Sequence, residues 1–205
     1  MGMNKDIPDS DLVWEEIGTK HIIQNEWIDF RESAYRFPDG TVFEPYYSYS
    51  RRDYVVVIAT DESGDYICVR QFRQGLKCVT NEFVAGGIER KDGKEYGSGR
   101  GPADAENALD AAKRELREET GYESDEWNHI ITVPSNATIA DNYAHIFRAR
   151  NCRKITDQNL DKTEFISVVT YNKDELQELI EDGKFQQAVH IMGYIISERK
   201  ERESI

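Results

Sequence analysis

Residues 106–122, with the sequence ENALDAAKRELREETGY, are the stretch around which the rest of the chain is organised. Ala, Leu, Lys, Arg and Glu dominate this stretch, and because these residues are strong helix formers it predicts a helix. Asp104 is the expected N-cap residue. Gly121 is the expected C-terminal cap, since glycine adopts the left-handed conformation at low cost.

At the helical period, the carboxylates of Glu115, Glu118 and Glu119 share one face, because they are spaced i, i+3 and i+4. Neighbouring carboxylates repel each other and lose hydration near a core, so a divalent cation such as Mg²⁺ would stabilise them. The alternative is a solvated, charged helix in which Arg114 and Glu118 form an ordinary ion pair. The stripe expected to face the core holds Ala108, Leu109, Ala112 and Leu116, and the solvated side holds Asp110, Lys113 and Arg117.

The second half of this helix, RELREETGY at residues 114–122, resembles the end of the Nudix box, GX5EX7REUXEEXGU, where U is a bulky apolar residue. Glu106 lies eight positions before Arg114, as the box requires. The leading glycine of the box would fall at Arg100, and Gly87 is the better counterpart. An insertion of about residues 90–103, rich in glycine and charge, therefore precedes Glu106, and we expect it to be an exposed, flexible loop.

A second segment resembles the ADP-ribose and nucleotide-sugar pyrophosphatase branch of the Nudix family. VRQFRQG at residues 69–75 and NEFVAGG at residues 81–87 are similar to that branch's VxQxRxx…xExPAG pattern, with Val84 in the place of proline. The resemblance implies the Nudix fold, an α+β fold in which a mixed β-sheet is sandwiched between α-helices. We expect an N-terminal antiparallel β-hairpin subdomain at residues 1–50 and a Nudix hydrolase domain at residues 51–205.

Residue patterns predict the remaining elements. The N-terminal hairpin is predicted from strands at His21–Tyr35 and Thr41–Tyr49, with a non-periodic, frayed start up to Ile17. Further strands are predicted at 54–59, 66–71, 128–134, 143–149 and 164–170. Helices are predicted at 173–181, with a capping box of Asn172 and Glu175, and after Phe185.

The resemblance also implies roles for individual residues in a Mg²⁺-dependent reaction, with Mn²⁺ as an alternative metal. The implied metal ligands are Glu115, Glu118, Glu119 and a backbone carbonyl of Ala85 or Gly87. The implied catalytic residues are Glu164 and Glu82, as alternative general bases, and Arg114, which would orient Glu118 or a neighbouring loop. Arg73 is expected to contact the pyrophosphate, Gly87 is expected to be a substrate-binding residue, and Trp27 and Phe43 are expected to stack on the base. The plain alternatives are a surface Arg73, a Glu164 that only opens a strand, and aromatic residues that only build the hairpin core.

Composition excludes other classes of protein. The formal net charge of −13 argues against a nucleic-acid partner, and neither a membrane span nor a signal peptide is present in the pattern. Three cysteines without a CxxC pair indicate neither a zinc site nor a disulfide framework, so the cytoplasm is the expected compartment. All four histidines are interpreted as structural.

The leading functional hypothesis is hydrolysis of ADP-ribose, or of a related nucleoside diphosphate sugar, to a nucleoside monophosphate and a sugar phosphate. The resemblance implies a homodimer in which the N-terminal hairpin helps to form the base pocket of the other subunit. Two alternatives are a hydrolase of nucleoside triphosphates or dinucleoside polyphosphates, and a non-catalytic Nudix domain that binds nucleotide sugars.

Overall fold

A computed structural model describes residues 7–25, 27–89 and 106–203. These residues form two units. The first contains the described residues up to Arg52 and the segment Asn136–Asn142, and the second contains residues 53–89, 106–135 and 143–203. The insertion predicted at about 90–103 and the expected cap Asp104 lie outside the described residues.

The first unit carries a three-stranded antiparallel sheet rather than the predicted hairpin. Its strands β1 (Glu15–Gln24), β2 (Asp29–Arg36) and β3 (Val42–Ser50) pair in the order β1-β2-β3, and a short 3₁₀ helix at Asp9–Asp11 precedes them. The single strand predicted over His21–Tyr35 is wrong, because the chain reverses between β1 and β2. Asn25 stabilises that reversal, since its side-chain oxygen accepts the backbone N–H groups of Trp27 at 2.9 Å and Ile28 at 3.1 Å.

The N-terminal segment is more ordered than its composition predicts. β1 begins at Glu15, so the frayed start predicted up to Ile17 is wrong for its last three residues. The ring of Trp14 packs against the rings of Tyr35, Phe37 and Tyr46, with centroid separations of 5.9, 4.5 and 5.9 Å. Aromatic packing of this kind stabilises a small sheet that buries few aliphatic side chains.

The second unit is built on a mixed sheet with helices on both faces. Its central strands follow the order β10-β5-β6-β4-β9-β7, β8 also pairs with β9, and β4 and β9 run in parallel. The strands are β4 (Tyr54–Asp61), β5 (Tyr66–Arg73), β6 (Cys78–Gly87), β7 (Tyr122–Glu123), β8 (Glu126–Pro134), β9 (Tyr143–Lys154) and β10 (Ile166–Tyr171). The helices are α1 (Ala108–Thr120), α2 (Lys173–Glu181) and α3 (Ala188–Glu203).

Strand β4 shows how the two faces of the sheet are covered. Val55 and Val57 lie in one buried cluster with residues of α1, whereas Val56 and Ile58 lie in a second cluster with residues of α2 and α3. All four side chains are fully buried, as expected for a central strand whose alternate residues point to opposite faces. The predicted α+β architecture, a mixed sheet between helices, is therefore confirmed.

Helix α1 begins later than predicted and ends where predicted. Its N-cap is Asn107, whose side chain accepts the backbone N–H of Leu109 at 2.8 Å, so the prediction of Asp104 as the cap is wrong. Gly121 caps the C-terminus with a φ of 77°, and its N–H donates to the carbonyl of Arg117 at 2.8 Å. The two faces are confirmed: Ala112 and Leu116 are fully buried, and Asp110, Lys113 and Arg117 are exposed.

The predicted capping box of α2 is also confirmed. The side chain of Asn172 accepts the N–H of Glu175 at 3.0 Å, and the side chain of Glu175 accepts the N–H of Asn172 at 2.9 Å. The box fixes the start of α2 immediately after β10. α2 covers the face of the sheet opposite α1.

Candidate active site

Two carboxylates of α1 are buried against β6. Glu115 is 7% exposed and Glu119 is 2% exposed, and the carboxylate of Glu119 accepts the backbone N–H of Ala85 at 3.3 Å. Burial, together with the charges of Glu115 and Glu164, raises the pKa of Glu119 well above its ordinary value. Burial also raises the pKa of Glu115 to about 7, although the guanidinium of Arg114 opposes the shift. A cation between these two carboxylates would relieve both penalties.

Gly86 is what allows Glu115 to approach the strand. A Cβ atom built on Gly86 would lie 1.9 Å from the carboxyl carbon of Glu115 and 2.0 and 2.3 Å from its two oxygens. A side chain at this position would occupy the volume that the carboxylate fills. Gly86, the first glycine in the sequence VAGG, therefore allows β6 and α1 to approach each other closely.

Arg114 organises the surrounding carboxylates. Its Nη1 donates to Glu115 Oε1 at 2.8 Å and to Glu118 Oε2 at 3.0 Å, and its Nη2 donates to the carbonyl of Gly87 and to Glu106 Oε2, both at 3.0 Å. The i, i+4 pair with Glu118 that the plain interpretation predicts is therefore present. It draws Glu118 towards Arg114, whereas Glu119 bonds to the backbone of β6.

Glu106 forms hydrogen bonds with the backbone of Glu89 and with the side chain of Arg114. Its backbone N–H donates to the carbonyl of Glu89 at 2.8 Å, and its carboxylate accepts the N–H of Glu89 at 3.3 Å. The same carboxylate accepts two N–H groups of Arg114. Glu106 thus joins the end of β6 to the start of the helix, which is a structural role that spacing within the motif does not specify.

Arg73 and Glu82 form a bidentate ion pair between neighbouring strands. Arg73 Nε donates to Glu82 Oε1 at 2.8 Å and Nη2 donates to Oε2 at 2.5 Å, and Thr80 Oγ1 lies 2.5 Å from Oε1. Glu82 is fully buried. Burial favours a higher pKa for Glu82, but the hydrogen bonds from Arg73 and Thr80 outweigh it and hold the pKa below its ordinary value. Glu82 is thus a weak base whose oxygens are already engaged.

Glu164 lies in the loop that precedes β10. Its carboxylate is partly exposed and accepts the backbone N–H of Asp161 at 3.0 Å. The charge of Glu164 contributes to the raised pKa of Glu115 and of Glu119, and it also raises the pKa of Arg73. Glu164, Arg73 and the two buried carboxylates of α1 therefore lie within electrostatic range of one another.

Trp27 and Phe43 lie at opposite ends of the sheet of the first unit. Trp27 is 66% exposed in the turn before β2, and Phe43 is 45% exposed at the start of β3, where it pairs with Tyr35 near the end of β2. Asp29 and Tyr35 are six residues apart along β2, which corresponds to roughly 20 Å. One chain therefore does not bring these two rings into a single base pocket, and their stacking roles stay predictions.

The donor chemistry of the buried carboxylates fits a divalent cation. Within the described ranges, no group of three or more His, Cys, Asp or Glu side chains is arranged to hold a metal ion, and Arg114 Nη1 binds the carboxylates of both Glu115 and Glu118. Glu115, Glu118 and Glu119 all carry hard oxygen donors, and their role as metal ligands stays a prediction. The carbonyl of Gly87 accepts from Arg114, and the choice between Ala85 and Gly87 as the backbone ligand stays a prediction.

The structure adds residues to the site that local sequence patterns did not indicate. Thr80 and Gln187 both donate to Glu82. His190 is buried in α3 and accepts the backbone N–H of Phe83 at 3.2 Å. For His190 the available signal was a polar residue among the apolar residues at the start of α3, and that signal does not identify its partner.

Gly86→Ala is expected to reduce kcat/KM on the order of 10²-fold, because a displacement of about 1 Å in a reacting group can cost that much. The three atoms nearest to the added methyl would all belong to the carboxylate end of Glu115 and none to the backbone, so the fold should survive while the carboxylate moves. Gly75→Ala is the matched control, since a Cβ there meets nothing within 4 Å. Steady-state kinetics and melting curves of both variants test this, and full activity of Gly86→Ala would contradict a role for Glu115 at this position.

Comparison with known proteins identifies the family. The NUDIX domain profile matches residues 50–191, which is more than half of the chain, so the chain belongs to the NUDIX family. It is 29% identical over 135 residues to an ADP-ribose pyrophosphatase of Bacillus subtilis (strain 168), covering 65% of each protein. It is 28% identical over 131 residues to a methanol dehydrogenase activator of Bacillus methanolicus, covering 63% of each. The chain thus spans just under two thirds of the length of these curated relatives.

A solved structure shares the fold over nearly the whole chain. It is a crystal structure described as an ADP compounds hydrolase, with a TM-score of 0.76 over 93% of this chain and 95% of that one, at 16% sequence identity. Identity at this level supports the fold alone. Among the described helices, none is long and apolar enough to cross a membrane.

Proposed function

We propose that this protein is a Mg²⁺-dependent pyrophosphohydrolase, with Mn²⁺ as an alternative metal, that cleaves ADP-ribose or a related nucleoside diphosphate sugar. The products would be a nucleoside monophosphate and a sugar phosphate. The observation that carries the proposal is the buried pair Glu115 and Glu119, held against Gly86 and Ala85 in electrostatic range of Arg73 and Glu164. The similarity to the ADP-ribose pyrophosphatase of Bacillus subtilis supports the choice of substrate.

Each residue of the site has a distinct task in this reaction. Glu115, Glu118, Glu119 and the carbonyl of Ala85 would hold the metal, which when bound polarises a phosphoryl oxygen and lowers the pKa of a water molecule. Arg73 would bind the diphosphate through the N–H groups that Glu82 leaves available. Glu164 would accept the proton of the attacking water, because its carboxylate is partly exposed and accepts a backbone N–H, that of Asp161.

Glu82 is the weaker of the two candidate bases. A general base needs an available lone pair and a pKa near the working pH. Glu82 is fully buried, its pKa is lowered, and its oxygens accept from Arg73 and Thr80. We therefore assign Glu82 to orientation of Arg73, and proton acceptance to Glu164.

We also propose a homodimer, for which the placement of Trp27 and Phe43 gives a geometric reason. The two rings lie at opposite ends of one three-stranded sheet, so both could contact the same base only if they came from two chains. The exposed apolar residues of this sheet, which an interface would cover, include Ile17, Ile22, Ile23, Val42 and Phe43. Light scattering over a concentration series tests the dimer, and a stable, fully active monomer would contradict it.

The free cysteines bear on the compartment in which the protein is located. Cys68, Cys78 and Cys152 all carry free thiols. Free thiols are typical of a reducing compartment such as the cytoplasm, which we propose as the location.

A substrate panel tests the proposed reaction most directly. ADP-ribose, UDP-glucose, GDP-mannose, NADH and diadenosine polyphosphates are incubated with the protein and Mg²⁺ or Mn²⁺, and the products are separated. We expect AMP and ribose 5-phosphate from ADP-ribose as the fastest reaction. Faster cleavage of diadenosine polyphosphates would favour the alternative hydrolase, and binding without turnover would favour a non-catalytic domain.

Trp27→Ala is expected to raise KM for the preferred substrate more than it lowers kcat, because stacking is similar in the ground state and the transition state. Stacking of a base on an aromatic side chain is worth roughly 1–3 kcal/mol, which corresponds to roughly 5–150-fold in KM. Trp14→Ala is the control, since Trp14 packs within its own sheet and its loss should lower the melting temperature instead. An unchanged KM in Trp27→Ala would leave Trp27 without a part in base binding.

A further inference from the structure

The carboxylate of Glu82 accepts four hydrogen bonds at the base of the candidate site. Its Oε1 accepts from Arg73 Nε at 2.8 Å, from Thr80 Oγ1 at 2.5 Å and from Gln187 Nε2 at 3.1 Å, and its Oε2 accepts from Arg73 Nη2 at 2.5 Å. Gln187 is the residue before α3, and its carbonyl accepts the N–H of Ile191 in the first turn. The side-chain amide of Gln187 therefore links the start of α3 to the ion pair between Arg73 and Glu82.

These bonds determine the orientation of Arg73. The terminal torsion of a glutamate is an sp³–sp² rotation with a broad energy minimum, so the carboxylate plane is set by its partners and not by an intrinsic preference. A bidentate guanidinium lies in the plane of the carboxylate that it binds. Because Thr80 and Gln187 both hold Oε1, they fix the plane in which Arg73 presents its remaining N–H groups.

His190 keeps the first turn of α3 in place beside this ion pair. Its Nδ1 accepts the backbone N–H of Phe83, the residue after Glu82. Burial lowers the pKa of His190 to about 4, so its ring is neutral and Nδ1 can act as an acceptor. The first turn of α3 thus contacts both the side chain of Glu82 and the next backbone amide, which holds Gln187 in register with Glu82.

We propose that Gln187, together with Thr80, is a positioning residue for the diphosphate group of the substrate. It acts through Glu82 on Arg73 and does not itself touch the substrate. The inference rests on the proposed function, because it requires a diphosphate at Arg73. The side chain of Arg73 is 36% exposed, and its free N–H groups match the acceptor-only oxygens of a diphosphate.

A purely structural role for Gln187 makes a different prediction. If its amide only anchored α3 to the sheet, its loss would lower the melting temperature and would affect binding equally, whatever residue occupied position 73. A positioning role requires the guanidinium of Arg73, since a lysine is a point charge that cannot form the bidentate pair with Glu82. The two roles are therefore separated by a double-mutant cycle.

The experiment measures binding of ADP and of inorganic pyrophosphate by calorimetry, with kcat and KM for the preferred substrate. Gln187→Met removes the donor and keeps the length of the side chain, and Gln186→Met is the matched control because Gln186 is the exposed neighbour. We expect about 10-fold weaker binding in Gln187→Met, similar to the loss when a partner that orients a ligand is removed. Gln186→Met should bind as the wild type does, and in an Arg73→Lys background Gln187→Met should cause little further loss.

Equal losses in the Arg73 and Arg73→Lys backgrounds would overturn the inference, as would unchanged binding in Gln187→Met. Thr80→Val and Thr80→Ser form a second pair, in which the serine should restore binding because it retains the hydroxyl. If the wild-type protein binds neither ADP nor pyrophosphate and cleaves no diphosphate, the proposed function fails as well. If the wild type binds them and Gln187→Met binds them equally, the inference about Gln187 fails alone.

Discussion

Glu119→Gln is expected to lower kcat roughly 10³-fold, since metal-ion stabilisation of a transition state is worth several kcal/mol and each 1.36 kcal/mol is tenfold in rate. Glutamine is nearly isosteric, and its amide oxygen can still accept the N–H of Ala85. The fold should therefore be retained. Because burial disfavours the charge of Glu119, the neutral side chain should leave the metal-free protein at least as stable as the wild type.

The control for this variant is Asp110→Asn, which lies on the exposed side of the same helix. Added Mg²⁺ should raise the melting temperature of the wild type and of Asp110→Asn, because a ligand that binds only the folded state stabilises it. The same addition should leave the melting temperature of Glu119→Gln nearly unchanged. Near-native turnover of Glu119→Gln at saturating Mg²⁺, or an undiminished rise of its melting temperature with the metal, would show that Glu119 is not a metal ligand.

Local rules were sufficient to predict most of α1. The helical period placed Leu116 in the core and Lys113 in solvent, and Gly121 ends the helix because it adopts a positive φ. The start was not predictable from the same rules. Asp104 and Asn107 are both good caps, so local rules do not decide which of them starts the helix. The neighbouring Glu106 donates its N–H to the carbonyl of Glu89, which is a contact that local rules do not predict.

The N-terminal sheet shows a second limit of local patterns. Residues 21–35 alternate as one strand would, but Asn25 accepts the N–H groups of Trp27 and Ile28 and reverses the chain. An asparagine within an alternating segment can be an exposed strand residue or the start of a turn. The pairing of β1 with β2 decides between them, and that pairing is a tertiary contact.

The candidate site also has features that spacing predicts and features that only tertiary packing decides. Spacing alone placed Glu115, Glu118 and Glu119 on one face, but it did not predict that Glu115 and Glu119 are buried or that Arg114 binds both Glu115 and Glu118. Gln187 lies 105 residues from Glu82 along the chain, so no pattern within a motif could join them. Motif positions were therefore predictable, whereas the partners that orient them depend on the packing of α3 against the sheet.

Glu164→Gln is expected to lower kcat about 10²–10⁴-fold with little change in KM, which is the contribution typical of a general base. Glutamine can still accept the backbone N–H of Asp161, so the loop before β10 should keep its conformation. The loss then reports proton acceptance alone. A base must be deprotonated to act, so the acidic limb of the pH–rate profile should flatten in the variant.

Two further variants decide between the candidate bases. Asp161→Asn, on the same loop and exposed, should retain wild-type kcat, because its side chain takes no part in the contact with Glu164. Glu82→Gln should act mainly on KM, since it weakens the orientation of Arg73 and leaves the proton acceptor in place. If Glu164→Gln keeps its kcat and its acidic limb while Glu82→Gln loses both, the base is Glu82, and the buried ion pair with Arg73 must open during turnover.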